Sequence, residues 1–459
     1  MSDDKKTRPK KVRPLPMMQP MVAGIDIGSS QHWVCGPPKE DGEPNIRVFG
    51  TTTPDLCELV DWLVGEGITS AAMESTSVYW IPLYELLESR GIEPVLVNAR
   101  QLHNVPGRPK TDCEDCQWLQ QLHSYGLLQG SFRPTEAITK LRALQRQIAN
   151  LVVERGRCIQ WMQKALDQMN VQVHRAVSDL NGKTGLAIVR AIVAGERDPV
   201  RLAAHRDARC RKSVDQIARH LTGTWREEHL FNLASALRLY DVVEAEIASY
   251  DARLLQELEA LQPPDRQDQP LPRHPNAKKE KNIQARGDAQ LRTALWRFAG
   301  VDLTRIDAIS AGVAQVVLTE AGPDLSAFPT EHHFVSWLRA CPRTPVSGGK
   351  PLKKRRNSLG ANRIAAALRM AALAVGRSKT ALGAYFRRIA RHKGGAVAVF
   401  ATARKLAVLV YRMLRYGQDY VDIGEEAYEA KFQAQRLASL EQTAKSLGLV
   451  LVKDPTVAT

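Results

Sequence analysis

The sequence lacks the long apolar runs that membrane proteins need. Its 459 residues contain no uninterrupted apolar segment of roughly 18 residues, and the first residues do not follow the pattern of a secretory signal peptide. No repeated unit is found along the chain. We therefore expect a cytoplasmic protein with no membrane partner, and the 44% of apolar residues is sufficient for packed cores.

Cysteine is scarce and irregularly spaced. The seven cysteines are odd in number, which argues against a disulfide framework and favours a reducing compartment. Cys113 and Cys116 form a single C-x-x-C, and no second pair follows at the spacing of a zinc site. We interpret this pair as incidental to the acidic motif around it.

Acidic residues are fewer than basic ones. The chain has 64 Lys and Arg against 49 Asp and Glu, a net charge of +15 and a pI near 9.6. Such a surface favours a polyanion as partner, so nucleic acid is the leading expectation, and a basic cytosolic protein is the alternative. Residues 1–19 are predicted to form a basic disordered arm that contacts nucleic acid or remains solvated.

The order of predicted elements indicates a ribonuclease-H-like (RuvC-like) α/β domain over residues 20–130. Three short strands are followed by a helix, a strand, a second helix, another strand and a third helix. The third helix opens at Asp112, after a loop rich in Pro and Gly. This order matches the ribonuclease-H-like fold.

The remainder is predicted to be mainly helical. Residues 131–261 carry two apolar seams with alternating steps of three and four, interrupted by Arg155 in the first and by Glu244 and Asp251 in the second. They predict a coiled-coil domain whose arms pair within one chain or between two chains. Residues 262–288 are predicted to be a linker, 289–417 a helical C-terminal domain and 418–459 a tail.

Four acidic residues fall where this fold would bring carboxylates together. Asp26 ends the first strand beside Gly28, Glu74 ends a buried strand, and Asp112 and Asp115 lie on one face of a helix start. Such a cluster suits Mg²⁺ and phosphodiester chemistry. The alternatives are a helix cap at Asp112, a solvated charge at Asp115 and a buried ion pair at Glu74.

The segment "GIDIGSS" also resembles the phosphate-binding hairpin of the sugar kinases and heat-shock ATPases. That interpretation needs a second hairpin of the same kind later in the chain, and none is found.

A basic segment holds the second motif. In "CPRTPVSGGKPLKKRRNSLGANR", Ser347 precedes two glycines, so its hydroxyl is expected to be exposed. The cations that follow would bind phosphates and stabilise a pentacovalent transition state; they are Lys350, Lys353, Lys354, Arg355 and Arg356. A serine nucleophile attacking DNA would need these groups. By composition alone, a serine that only contacts phosphate is favoured.

Residues 20–417 resemble the insertion-sequence one-ten transposases, of the one-eleven-eleven type, which are related to the Piv DNA invertases. The resemblance lies in "GIDIG", "MESTSVYW", "PGRPKTDCEDCQWL", "GERDP" and "CPRTPVSGGK". It implies that Asp26, Glu74, Asp112 and Asp115 bind Mg²⁺ or Mn²⁺, and that Ser347 is the nucleophile. Two features depart from the family: Arg343 stands where a Gly is common, and Ser358 is a second nearby serine.

The resemblance also implies partners and a reaction. Donor and target DNA, a structured bridge RNA, and a homodimer assembling to a tetramer are expected, in a bacterial cytoplasm at the nucleoid. The expected activity is DNA recombination through a covalent serine–DNA link. Two alternatives remain open: a metal-dependent junction nuclease in which water attacks, and a nucleic-acid-binding protein without catalysis.

Overall fold

The computed structural model describes residues 17–75, 77–98, 111–341, 346–348, 350–351 and 362–452. The predicted arm up to residue 16, and the predicted contacts Lys353, Lys354, Arg355, Arg356 and Ser358, lie outside the described residues. The chain divides into two compact units, residues 1–133 and residues 134–459. Each unit has its own core.

The first unit is built on a five-stranded mixed sheet. Its strands are β1 (Val22–Ile27), β2 (Gln31–Cys35), β3 (Ile46–Gly50), β4 (Ser70–Glu74) and β5 (Glu93–Val97). Their order is β3-β2-β1-β4-β5, with β1, β2 and β3 antiparallel and with β4 and β5 parallel to β1. Each strand lies in a segment that the sequence predicts to be a strand.

Three described helices belong to this unit: α1 (Thr53–Gly65), α2 (Trp80–Ser89) and α3 (Asp112–Ser124). Helix α1 starts where Thr52 and Asp55 form a capping box. Its apolar side buries Leu59 and Leu63 completely in the core of the unit. Helix α3 begins at Asp112, as predicted, because the side chain of Thr111 accepts a hydrogen bond from the backbone N–H of Glu114 at 3.3 Å.

The second unit contains two long helices, α4 (Glu136–Gln168) and α9 (Glu227–Ala260), which pack along each other within one chain. The pairs Arg155–Glu244 at 2.9 Å and Lys140–Glu257 at 2.7 Å show that they run antiparallel. Arg155, the polar interruption of the first seam, is therefore paired with Glu244, one of the two interruptions of the second. The chain forms the hairpin arrangement, while supercoiling of the two helices stays a prediction.

Four short helices lie between these two long ones: α5 (Val173–Ala176), α6 (Lys183–Val193), α7 (Pro199–Ala203) and α8 (Val214–Leu221). They share a core with the adjoining ends of α4 and α9, in which Met162, Ile188 and Leu233 are fully buried. We call residues 172–226 the insert. This small core explains how such short helices are held.

The regular elements described in the rest of the second unit are helices and one short hairpin. Its helices are α10 (Ala277–Arg286), α11 (Ala289–Ala299), α12 (Ala311–Ala321), α13 (Glu331–Trp337), α14 (Arg363–Val375), α15 (Ala381–Lys393), α16 (Gly395–Tyr416) and α17 (Gly424–Ser446). The segment 262–288, expected to be a linker, contains a 3₁₀ turn and α10. None of the described helices is long and apolar enough to cross a membrane.

Candidate active site

Two of the predicted carboxylates lie at the same end of the sheet. Strands β1 and β4 are parallel, and Ile25 is the register partner of Met73. The next residues on these strands are Asp26 and Glu74, so the register continued by one step places them side by side. Both side chains are half-buried. Because successive side chains alternate between the two faces, Asp26 and Glu74 share the face that also carries Gly24.

That face is covered by α3, which approaches the sheet closely at Gly24. A Cβ atom on Gly24 would lie 2.2 Å from the backbone nitrogen of Gln120 and 2.3 Å from the backbone oxygen of Cys116. Only a glycine leaves space for the helix backbone at this distance. Because Gly24 has no side chain, α3 can lie close to β1, the strand that carries Asp26 near its end.

The direction of α3 brings its first turn to the carboxylate end of the sheet. Near its C-terminus, the His123 ring lies 2.8 Å from the hydroxyl of Ser70, the first residue of β4. Cys116, one turn after Asp112, lies over Gly24. The helix rises about 6 Å from Cys116 to Asp112, and β1 rises about 7 Å from Gly24 to Asp26. Asp112 is therefore level with Asp26.

Asp115 lies in the same first turn, next to Cys116, and is half-buried, while Asp112 is exposed. The N-terminal end of the helix macrodipole favours negative charge at both positions. The first turn of α3 thus adds two carboxylates on the side of the sheet where Asp26 and Glu74 lie.

Cysteines line the contact between α3 and β1. Cys35 is the antiparallel partner of Gly24, so it lies under the same turn of α3 as the fully buried Cys116. The hydrogen bond with Cys35 raises the pKa of the Cys116 thiol above its ordinary value, and burial and the nearby charge of Asp26 raise it further. Cys116 is therefore a neutral packing residue. Of the C-x-x-C pair, Cys116 packs at this contact, which the sequence spacing did not reveal.

The donor chemistry of this site fits a hard divalent cation. Mg²⁺ is commonly bound by one or two protein carboxylates together with water and substrate phosphate oxygens. Among the residues that the structure describes, no three His, Cys, Asp or Glu side chains come close enough to hold an ion together. Asp26 and Glu74 are neighbours, and the remaining oxygen ligands would come from the first turn of α3, water and DNA. The ligand assignment stays a prediction.

The backbone around Ser347 forms a small hairpin in the second unit. Strand β6 (Val346–Ser347) pairs antiparallel with β7 (Lys350–Pro351), and Ser347 is the register partner of Lys350. Gly348 follows Ser347 with φ of +55°, in the left-handed region that glycine adopts without strain. The serine therefore lies at a tight turn with a lysine directly opposite in register. Its role as nucleophile is not tested by this geometry.

Two models of protein families match the chain. A model described as "Transposase" (DEDD_Tnp_IS110) matches residues 23–171, and one described as "Transposase IS116/IS110/IS902 family" matches residues 301–387. IS110 is the insertion-sequence one-ten family that the sequence resembles. The first match contains the four carboxylates and the second contains the hairpin of Ser347. The comparison with curated proteins gave no match.

Proposed function

Because the chain belongs to the IS110 family of transposases, we propose that it cuts and rejoins DNA through a serine nucleophile assisted by a carboxylate-bound cation. The nucleophile is Ser347. The carboxylates are Asp26, Glu74, Asp112 and Asp115. The observation that carries the proposal is the approach of α3 at Gly24, which puts its acidic first turn level with the acidic ends of β1 and β4.

Ser347 and the carboxylates have different roles in the proposed reaction. The Ser347 hydroxyl loses its proton as its oxygen attacks a DNA phosphorus, the bond from phosphorus to the 3′ oxygen breaks, and that 3′ oxygen takes up a proton to become a 3′ hydroxyl. A serine–phosphate bond replaces the phosphodiester, so rejoining needs no ATP. Mg²⁺ or Mn²⁺, when bound, would supply positive charge to the phosphate oxygens. Asp26 and Glu74, fixed by paired strands, would orient the phosphate through that charge.

Two further parts of the proposal concern partners. We expect a structured bridge RNA to select donor and target DNA, which the excess of 64 basic over 49 acidic residues supports. We also expect a homodimer that assembles to a tetramer. Trp161 on α4 and Val242 on α9 are 51% and 61% exposed, and such apolar side chains on the long hairpin suit contact with a second copy.

Trapping the covalent intermediate tests the proposal. The protein is expressed with the flanking DNA of its element, the lysate is denatured, and DNA attached to protein is measured. We expect an adduct for the native protein and for Ser358→Ala, and none for Ser347→Ala, which still binds DNA. The Asp112→Asn variant should also give no adduct while its far-UV circular dichroism is unchanged.

Three outcomes would contradict the proposal. An adduct formed by Ser347→Ala and lost in Ser358→Ala would move the nucleophile to Ser358. Metal-dependent cutting without an adduct in any variant would identify a junction nuclease that uses water. DNA binding without cutting, indifferent to Asp26→Asn, would identify a protein that binds nucleic acid without catalysis.

A further inference from the structure

A basic cavity lies in the insert, a segment that lies outside both family matches. The cavity has a volume of about 690 Å³, within the range of roughly 300 to 1,000 Å³ typical of ligand sites. Its walls come from three stretches: residues 175–179, the start of α6 at residues 182–185, and the loop at residues 207–212. All three belong to the second unit.

The loop that closes the cavity is held by specific hydrogen bonds. The Arg206 guanidinium donates to the backbone oxygens of Cys210 and Lys212, each at 2.7 Å. The backbone N–H of Asp207 donates to the hydroxyl of Thr184 at 3.1 Å, which ties the loop to the first turn of α6. The Lys212 ammonium donates to the backbone oxygen of Arg175. The cavity is therefore a built feature that involves all three stretches.

Its charge is strongly positive. Five cations line it, against the two carboxylates Asp179 and Asp207; the cations are Arg175, Lys183, Arg209, Arg211 and Lys212. Asp207 forms an ion pair with Arg209 at 3.0 Å and lies 3.8 Å from Lys183. The hydrogen bond from Arg209 lowers the pKa of Asp207 to about 2. Within the described residues, no ion pair is found for Arg175, Arg211 or Lys212.

The surroundings do not neutralise this charge. The insert carries eleven Lys and Arg against five Asp and Glu over residues 172–226. The side chains of Lys183 and Arg209 are 85% and 86% exposed, so they can reach a ligand larger than the cavity itself. Arginine and lysine together provide planar and point-like donors suited to phosphate oxygens.

We infer that this cavity is a second nucleic-acid site, which binds the phosphodiester backbone of an RNA or DNA strand away from the carboxylate cluster. A strand suits it better than a free phosphate, because cations spread over three stretches and pointing to solvent match a row of phosphates. The site would anchor nucleic acid without reading its sequence. The inference depends on the protein handling nucleic acid, and it is independent of the nucleophile proposed above.

Cys210 provides a reporter inside this cavity. It is a free, half-buried cysteine whose sulfur lies 3.7 Å from the Thr184 hydroxyl. The full-length protein is treated with iodoacetamide in the presence of a fluorescein-labelled 20-base-pair duplex of RNA or of DNA, and the alkylation rate of each cysteine is followed by peptide mass spectrometry. Cys57, a half-buried cysteine in the first unit, is the internal reference. Anisotropy of the fluorescein label reports total binding.

We expect a saturating duplex, at ten times its dissociation constant, to slow alkylation of Cys210 roughly tenfold, since only the free fraction reacts. Cys57 should be unaffected. The double variant Arg175→Gln/Arg211→Gln should lose this protection, and its log affinity should depend less steeply on log salt by about two units. Arg201→Gln/Arg238→Gln removes the same charge from exposed positions outside the cavity and should keep the protection.

Each remaining outcome decides the inference. Protection by only one of the two duplexes identifies RNA or DNA as the natural strand. An unchanged Cys210 rate with both duplexes overturns the inference, whether or not anisotropy shows binding elsewhere on the protein. Protection that persists in Arg175→Gln/Arg211→Gln overturns it as well, because the cavity cations would then not hold the strand. If Ser347→Ala still forms the covalent DNA adduct, the proposed nucleophile is wrong, but the result of the Cys210 protection test is unaffected.

Discussion

Replacing Gly24 by alanine should separate α3 from β1 and thereby disturb the candidate active site. The new methyl carbon would lie 2.2 Å from the Gln120 nitrogen and 2.3 Å from the Cys116 oxygen, whereas unstrained heavy atoms stay about 3.5 Å apart. Both atoms are backbone atoms of a helix, so no side-chain rotation relieves the overlap. The helix must move by about 1 Å, taking Asp112 and Asp115 with it.

This displacement has two measurable consequences. Overpacking of this kind costs about 2 to 3 kcal/mol, so local opening at α3 should become roughly 30- to 140-fold more frequent at about 1.4 kcal/mol per factor of ten. A misplacement of about 1 Å in a catalytic group also costs roughly a hundredfold in rate. Adduct formation and recombination should fall accordingly.

The thiol of Cys116 reports the opening directly. Cys116 is fully buried at this contact, so its alkylation rate measures how often α3 leaves the sheet. Gly65→Ala is the matched control, because a Cβ at Gly65 meets no atom within 4 Å and alanine suits a helix better than glycine. If Gly24→Ala alkylates at Cys116 as slowly as Gly65→Ala does, α3 does not rest on β1 at Gly24 and the geometric argument fails.

Two further predictions concern the second unit. Arg292 is 2% exposed and contacts Asp302 and Glu280, each at 2.7 Å. Arg292→Met leaves these two carboxylates without a cation, so the free energy of unfolding measured in urea should fall by about 3 to 5 kcal/mol. A fall below about 1 kcal/mol would contradict this. Burial lowers the pKa of Lys279 from 10.5 to about 8, so the unfolded chain binds more protons between those values and stability should rise with pH from about 8 to about 10.5. Lys279→Met should remove that rise, and thermal unfolding with the same pH slope in both proteins would refute it.

The sequence predicts the local parts of the candidate site well. Short apolar runs mark β1 and β4, so the positions of Asp26 and Glu74 near the strand ends follow from the sequence. The start of α3 follows from the Pro- and Gly-containing loop before Asp112 and from the acidic first turn, while the structure shows that Thr111 and not Asp112 is the N-cap. These signals lie within a few residues of the groups they place.

Contacts between distant segments could not be predicted in the same way. The close approach of α3 depends on Gly24, Cys35 and Cys116 meeting across about ninety residues. The seams of α4 and α9 would bury the same apolar residues in a hairpin or in a dimer, and the pairs Arg155–Glu244 and Lys140–Glu257 show the arrangement within the chain.

Tertiary contacts add to what composition indicates in two places. The segment 262–288 is rich in Pro and Gln, and within it Lys279 donates to the backbone oxygens of Thr304 and Ile306. The basic cavity escaped sequence reasoning because its cations are spread from Arg175 to Lys212, with no single basic run to mark them.

Helix α4 acts as a spacer between helix α12 and the insert. Arg146 on α4 holds Glu320 of α12 at 2.9 Å, and the far end of the helix at Gln168 borders the insert. Those 22 residues span about 33 Å, close to one helical turn of B-form DNA at about 34 Å. If a duplex is anchored in the insert and runs along α4, helix α12 faces the same side of that duplex about one helical turn further along. Adding one heptad to both long helices would lengthen the spacer by about 10 Å, while the facing surfaces of the hairpin stay in register. Helix α12 would then face a different side of the duplex.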